Sequence, residues 1–370
     1  MPFQDTKQTT SPDDTHGVEM QKFIPIDANQ IHGEYISLNR LFSFDWARIF
    51  ICIGARGYGK TFASKRKCLK THKYDKLKFI ILRDTTSACE EICANGGYKL
   101  FNDVFSLPFL KNDSYDIIKN TILINGQNAG EVIPLSTYYK YKGNSYKDVG
   151  WVLFDEFIEE SVQAYRGNRA RQFANSLETI IRSNKHTRVI LTANALDVGN
   201  DILELLNIHI KNKQYGFYIN EEKKTVCYYA PNSKEFEERK KHSLSTIITK
   251  GTFLDDEMNL NSFENNACEI FERRKPCVLE GIFYNNEGEC VRLYRAKDGG
   301  EYYACKDINP TSNNYLRYVF NAKQVDENKI LVEKNMRDFL KNLLKSKSVK
   351  FESQYIFNVY CSIVNNTLKK

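Results

Sequence analysis

Residues 54–61 read GARGYGKT, that is Gly54, Ala55, Arg56, Gly57, Tyr58, Gly59, Lys60 and Thr61, and this octet decides the fold. It satisfies GxxxxGK[ST] between a short β-branched run, Arg48–Ile53 (RIFICI), and a helix-compatible segment, Thr61–Leu69. In that setting the three glycines let the backbone curl until its N–H groups point inward, and the helix that follows adds the positive end of its dipole. Such donors hold phosphates. Lys60 is expected to reach the β- and γ-phosphate oxygens of a nucleoside triphosphate, and the Thr61 hydroxyl to ligate Mg²⁺.

About a hundred residues on, Trp151–Glu156 (WVLFDE) completes the signature. Four apolar residues place Asp155 at the carboxyl end of a buried strand, where doubly wound sheets collect ligands. Asp155 is expected to hold Mg²⁺, directly or through water, and Glu156 to polarise the attacking water. Val189–Asn194 (VILTAN) is a third strand with a polar end, so Thr192 or Asn194, Asn194 first, reads as a sensor of the γ-phosphate. Hydrolysis at such sites is accelerated by a cation that neutralises transition-state charge, supplied in ring motors by the next subunit. Arg182, near the end of Asn175–Ser183, is the first choice, with Arg56, Arg83 and Lys142 as lesser candidates.

Further apolar runs of strand length, Phe79–Leu82 (FIIL) and Thr121–Ile124 (TILI), suit a sheet covered by helices on both faces. Downstream the pattern changes. Tyr215–Ile219 and Thr225–Tyr229 are strand-like around a turn, and Ser233–His242 is a charged helical stretch. Cys277–Tyr284 and Cys290–Tyr294 flank a Gly-bearing turn and read as a hairpin. Asp326–Lys345 and Glu352–Leu368 read as closing helices. The expected division is a polar, mobile tail over residues 1–20, a P-loop domain over 21–215, a connector or lid over 216–252, and a second folded unit over 253–370.

The chain has 370 residues, 42% hydrophobic and 27% charged, which fits a globular protein. A formal charge of +7 permits a polyanionic partner without requiring one. Ten scattered cysteines, without paired CxxC spacing, read as reduced thiols of a cytoplasmic protein. The N-terminal stretch lacks a basic n-region and an apolar h-region, so no signal peptide is expected, and no run of about 18 apolar residues suggests a membrane span.

The order GARGYGKT, IPLSTYYKYKGNSYKD (Ile133–Asp148), WVLFDEF, ETIIRS and LTANA resembles the genome-packaging ATPases of small short-tailed bacteriophages, a branch of the additional-strand ring ATPases. The likeness runs from about Arg48 to the C-terminus and is strongest in the first 215 residues. It implies an α/β, RecA-like P-loop NTPase domain, a small connector and a C-terminal α+β domain of RNase H (nuclease-like) type. It further implies a homomeric ring, a pentamer in that family, that uses ATP and Mg²⁺ at the portal of an empty capsid to pump double-stranded DNA inward. The protein would then work in the host cytoplasm, docked transiently on the procapsid, with no membrane partner. By matching position, Lys60 and Thr61 serve nucleotide and Mg²⁺, Asp155 is the Walker B carboxylate and Glu156 the catalytic glutamate. Arg182 matches the trans-acting arginine, Lys142 an interface lysine, and Arg83 matches loosely.

Related terminases carry a metal-binding Asp on the first nuclease strand, whereas Glu280–Tyr284 (EGIFY) has none, and Glu287, Glu289, Asp298 and Glu301 fall in turns. Two-metal cleavage needs converging carboxylates, so a nuclease-like fold without nuclease activity is expected. The basic residues of this region (Arg273, Arg274, Lys275, Arg292, Arg295, Arg317, Lys341, Lys345, Lys347, Lys350) would serve DNA, a packaging RNA or the portal, with exposed solubilising faces as the plainer reading. Two other readings stand beside the motor: a P-loop nucleotide switch or regulatory ATPase, and a helicase or active terminase nuclease.

Overall fold

The computed structural model describes residues 21–144, 146–158, 169–182, 184–194, 199–211, 213–249, 271, 274–286, 288–306, 316–332 and 334–365. The expected tail over 1–20, the start of the second unit near Phe253, and Arg273 and Glu287 lie outside them.

The first sheet is built around β2 (Ile49–Gly54), β3 (Lys78–Arg83), β6 (Gln127–Pro134), β7 (Val149–Asp155), β8 (Arg188–Asn194) and β10 (Thr225–Tyr229). These six run parallel in the order β10-β2-β8-β7-β3-β6. Antiparallel strands flank them: β1 (Lys22–Pro25) and β9 (Gly216–Asn220) beside β10, and β5 (Thr121–Ile124) and β4 (Tyr115–Ile118) beside β6. Strand β8 lies between β2 and β7, so the strand entering the P-loop and the strand ending in Asp155 are not direct neighbours.

Residues alternate across this sheet as the period of two requires. Phe50, Cys52, Phe79, Ile81, Trp151 and Leu153 share one core with Cys68 and Leu69 of the helix Lys60–Asp75 and with Cys89 and Ile92 of the helix Thr86–Phe101. Ile51, Ile53, Ile80, Leu82, Val152 and Phe154 enter the other core with Phe173 and Ile180 of the helix Arg169–Ile181 and with Ile202 and Leu203 of the helix Asp201–Leu205. With the short helix Asn39–Phe42 counted first, these four helices are α2, α3, α4 and α5. The continuous apolar runs of the sequence follow from burial on both faces.

Next come α6 (Lys234–Lys241), whose first turn is capped by the Ser233 hydroxyl accepting from Phe236 N at 3.1 Å, and α7 (Leu244–Thr249). A second sheet follows, in the order β15-β14-β11-β12-β13-β16: β11 (Cys277–Tyr284), β12 (Cys290–Ala296), β13 (Tyr302–Lys306), β14 (Arg317–Val319), β15 (Ile330–Leu331) and β16 (Val349–Phe351). Its main core packs Phe283, Val291, Leu293 and Phe351 against α8 (Lys334–Lys345) and α9 (Gln354–Asn365). The sheets meet at Glu204 of α5, which accepts from the Ser353 hydroxyl at 3.0 Å and pairs with Lys306 at 3.3 Å.

Two expectations change. Thr225–Tyr229, read as part of a connector, pairs in parallel with Ile49–Ile53 along its whole length, and Gly216–Asn220 joins it in the same sheet. Sequence order hid this, because β10 enters beside β2 from 170 residues downstream. The helix expected from Asp326 begins instead at Lys334. Asp326 accepts from Asn328 N at 2.9 Å and pairs with Lys329 at 3.0 Å in a tight turn, and Ile330–Leu331 then pairs with β14, so the local turn and the strand pairing outcompete helix.

Candidate functional site

The octet forms the turn between β2 and α2, and two of its glycines supply the curl. Gly57 and Gly59 have φ of +79° and +88°, a region costly for other residues. Gly54 does not share that conformation; it ends β2 where a Cβ would lie 3.4 Å from that of Ala230. Lys60, only 6% exposed, folds back over the loop and donates to Gly54 O at 2.9 Å, Ala55 O at 2.7 Å and Asn194 Oδ1 at 3.1 Å. Burial draws its ammonium down to a pKa of about 8, opposed by Cys52 and Asp155. The Cys52 thiol is itself pushed up to about 12 by burial.

Parallel register brings the second half of the signature to the same edge. Gly54 pairs with Asn194 and Asp155 with Thr192 across β2, β8 and β7. Asp155, 5% exposed, accepts at Oδ1 from the Thr61 hydroxyl at 2.7 Å and from the Thr192 hydroxyl. The two alternatives for the sensor strand thus hold different groups: Thr192 the acid, Asn194 the lysine. Glu156 follows with φ of +58° and a 65% exposed side chain. Arg83, at the tip of β3, donates to Glu156 Oε2 at 2.5 Å and to Asp155 Oδ2 at 3.2 Å. Its place beside the acids follows from β3 being the neighbour of β7, and strand order is not written in local sequence.

One pair escaped the sequence reading. Arg169, the first residue of α4, forks onto Asp84 at 2.7 and 2.8 Å and donates to Phe157 O at 2.9 Å, fixing the chain just beyond Glu156. Asp84 directly follows the FIIL strand, which was the available signal.

Arg182 and Lys142 are not brought to this cluster within one chain. From Arg169 at the carboxyl edge, thirteen residues of α4 carry the chain about 20 Å to the opposite edge. There Arg182, at φ +44°, lies beside Asn184, which donates to Lys147 O at 2.9 Å, and lines a groove of about 500 Å³ with Tyr146, Lys147 and His186. Lys142 is exposed, its ammonium 5.8 Å from the Tyr138 ring centre. Arg56 is an exposed loop residue.

Several basic residues of the second sheet are engaged internally, against the expectation that they serve a partner. Arg292 and Arg317 are buried, Lys275 pairs with Asp298 at 3.1 Å, Arg295 with Glu280, and Lys350 with Glu301 at 3.1 Å. Lys345, the last residue of α8, and Lys347 just beyond it are exposed.

A family model described as podovirus DNA encapsidation protein (Gp16) matches residues 32–368. The DNA packaging protein of Bacillus phage B103 is 27% identical over 303 residues, 81% of this chain and 89% of that protein. The DNA packaging protein of Bacillus phage phi29 is 27% identical over 333 residues, 86% and 94% of the two. Among solved structures, the bacteriophage Phi-29 viral genome packaging motor assembly aligns with a TM-score of 0.62 at 23% identity, covering 88% of this chain and 97% of that one. The Phi-28 gp11 DNA packaging motor aligns at 0.62 and 19% identity, covering 92% and 100%. At these identities the structural likeness speaks to the fold.

Proposed function

Because the chain belongs to the podovirus DNA encapsidation protein (Gp16) family, we propose that it is the ATP-driven motor that moves double-stranded viral DNA into a preformed capsid. The observation that carries this is the Asp155 carboxylate accepting the Thr61 and Thr192 hydroxyls at the same sheet edge as Lys60, with Glu156 next in chain.

In this reading the N–H groups of residues 57–61 and the Lys60 ammonium bind the triphosphate. A hydroxyl and a carboxylate 2.7 Å apart are hard oxygen donors of the kind Mg²⁺ takes, so Thr61 and Asp155 are its holders. Held there by Thr61 and Asp155, Mg²⁺ would supply positive charge to offset that of the phosphates. Glu156 accepts a proton from the water that attacks the γ-phosphate. Arg83 holds the two carboxylates side by side, and Asn194 links Lys60 to the tip of β8. Arg182 and Lys142 act on the next copy's nucleotide in a ring, a pentamer, docked at the portal.

The first sheet, with residues 216–229 of the expected connector taken into it, is the motor domain, what remains of that connector up to residue 252 its lid, and the second sheet a nuclease-like domain without nuclease activity that meets DNA, a packaging RNA or the portal. Favouring the reading without nuclease activity, Glu280, Asp298 and Glu301 are each engaged by a cation, Arg295, Lys275 and Lys350. Work in the host cytoplasm is part of the same proposal; among the described residues no helix is long and apolar enough to cross a membrane.

The test is ATP turnover with and without double-stranded DNA and procapsids. Turnover should rise with both and vanish in Lys60→Ala. DNA-independent turnover with no capsid association, or metal-dependent cutting of DNA, would sink this reading.

A further inference from the structure

The outer face of the P-loop, away from the phosphates, is gripped by two distant segments. The chain at Gly33–Ile36 backs it: Ile36 N donates to Tyr58 O at 2.8 Å, and the Tyr35 ring covers Gly59 so closely that a Cβ there would sit 3.2 Å from its Cδ1. From α6, the Arg239 guanidinium lies 4.4 Å from the Tyr35 ring centre and donates to Gly57 O at 2.9 Å and Glu34 O at 3.2 Å. Its Nε is buried without a hydrogen-bond partner. Nearby, Tyr58 is fully buried 4.5 Å from the Phe236 ring and accepts at its hydroxyl from Ser233 N at 3.2 Å.

A trans peptide is planar, with C=O and N–H on opposite sides. Holding Gly57 O outward therefore turns the Tyr58 N–H toward the loop interior, where the same N–H makes a long 3.4 Å contact to Ala55 O. Glycine supplies the φ of +79° at Gly57 but does not enforce it, because it populates other regions as readily. A charge-assisted bond to the carbonyl supplies the missing restraint, and the stack on Tyr35 fixes the guanidinium that makes it.

We propose that Arg239 is a positioning residue for nucleotide binding: through Gly57 O, and braced by Tyr35, it holds the P-loop peptide with its N–H facing the phosphates. This rests on the nucleotide-binding reading above and deepens it. Its consequence is that the first helix beyond β10, and not only the loop itself, sets the affinity for the triphosphate.

The experiment uses the full chain and measures ATP and ADP affinity, KM, kcat, melting temperature and amide exchange over residues 54–61. In Arg239→Ala, Kd for both nucleotides should rise about tenfold, the effect of one lost charge-assisted hydrogen bond. With kcat at saturation within about twofold, that pattern marks lost uniform binding. Exchange at Tyr58 should speed up while the melting temperature holds. Arg239→Lys, which keeps a donor but loses the fork and the stack, should recover part of the affinity. Tyr35→Phe, which keeps the ring beneath the guanidinium but loses the 3.3 Å bond from Arg239 to the Tyr35 hydroxyl, should weaken binding less than Tyr35→Ala, which should follow Arg239→Ala.

Unchanged Kd and KM in Arg239→Ala, or a fall in kcat and melting temperature that Arg239→Lys fully restores, overturns the proposal. If Arg239→Ala does not fold, wild-type affinity in Arg239→Lys does so equally. Should wild type bind ATP and Lys60→Ala fail to, a null result at Arg239 strikes this proposal alone; failure of wild type to bind ATP removes the nucleotide reading beneath it.

Discussion

In the ten-stranded sheet, β2, β8 and β7 run parallel and finish side by side, so Gly54, Asn194, Thr192 and Asp155 meet in one hydrogen-bonded cluster. In the six-stranded sheet, β11, β12 and β13 alternate in direction, and the acids scatter. Glu280 pairs with Arg295, Asp298 with Lys275, Glu301 with Lys350, and Glu289 accepts from the Tyr355 hydroxyl at 2.7 Å. Both sheets hold carboxylates, but only parallel neighbours point successive strand ends at one place. Acid content is therefore a poor guide to chemistry; strand direction decides whether side chains converge.

The comparison is sharpened most by Arg182, which sits at the wrong edge of the converging sheet to act in its own chain. In assembled rings Arg182→Ala should cut DNA-stimulated turnover about 10³–10⁵-fold, the worth of a trans arginine. Nucleotide binding by the isolated chain should stay as in wild type; loss of that binding would place Arg182 in the cis site instead.

Next in size is Glu156→Gln, expected to slow turnover about 10²–10⁴-fold, as removal of a general base does. Equilibrium binding of ATP should persist. A variant that turns over normally would move the base elsewhere.

The pH response separates the sheets by window and not by sign, since each group adds stability as pH rises, Lys60 in the alkaline range and Glu301 in the acid range. Lys60 in the fold drops to about 8 from 10.5, so between those values the unfolded chain holds a proton that the native state has released, and this group adds stability as pH rises. Nucleotide affinity should run the other way, flat below pH 8 and falling about tenfold per unit above it as the ammonium is lost. Titration calorimetry across pH 7–10 reads this, and Lys60→Arg should flatten the curve. Glu301 is held down to about 2 from 4.5 by the Tyr303 hydroxyl and then Lys350, so its contribution is present above pH 4.5 and lost on descent through 2.

The smallest effect belongs to the scattered acids. Glu301→Gln should leave ATP turnover within about twofold, as substitutions away from a site do. A loss comparable to that of Glu156→Gln would show that the second sheet takes part in hydrolysis and break the contrast.

What could be read in sequence were features written in contiguous residues. GARGYGKT needs its glycines at fixed spacing, and WVLFDE needs a buried strand ending in an acid; both stand where expected. The Cys277–Ala296 hairpin was legible for the same reason. Pairings set by strand order were not: β10 against β2, Arg83 against Glu156, Arg169 against Asp84. Tyr35 and Arg239 are separated by most of the first sheet, and nothing in the charged stretch SKEFEERKKH marks one arginine as different from its neighbours. The segment from Asp326 to Lys329 misled through composition, since charged and polar residues of helical type can equally close a turn.

The insertion of β8 also fixes a distance. Neighbouring strands sit about 4.8 Å apart, so one strand interposed spaces the loop strand from the acid strand by about 10 Å. Beyond the tip of β8, Lys60 is held on one side through Asn194 and Asp155 on the other through Thr192. Thr192 and Asn194 sit two residues apart on that one strand, so β8 ties the acid and the lysine to a single rigid element.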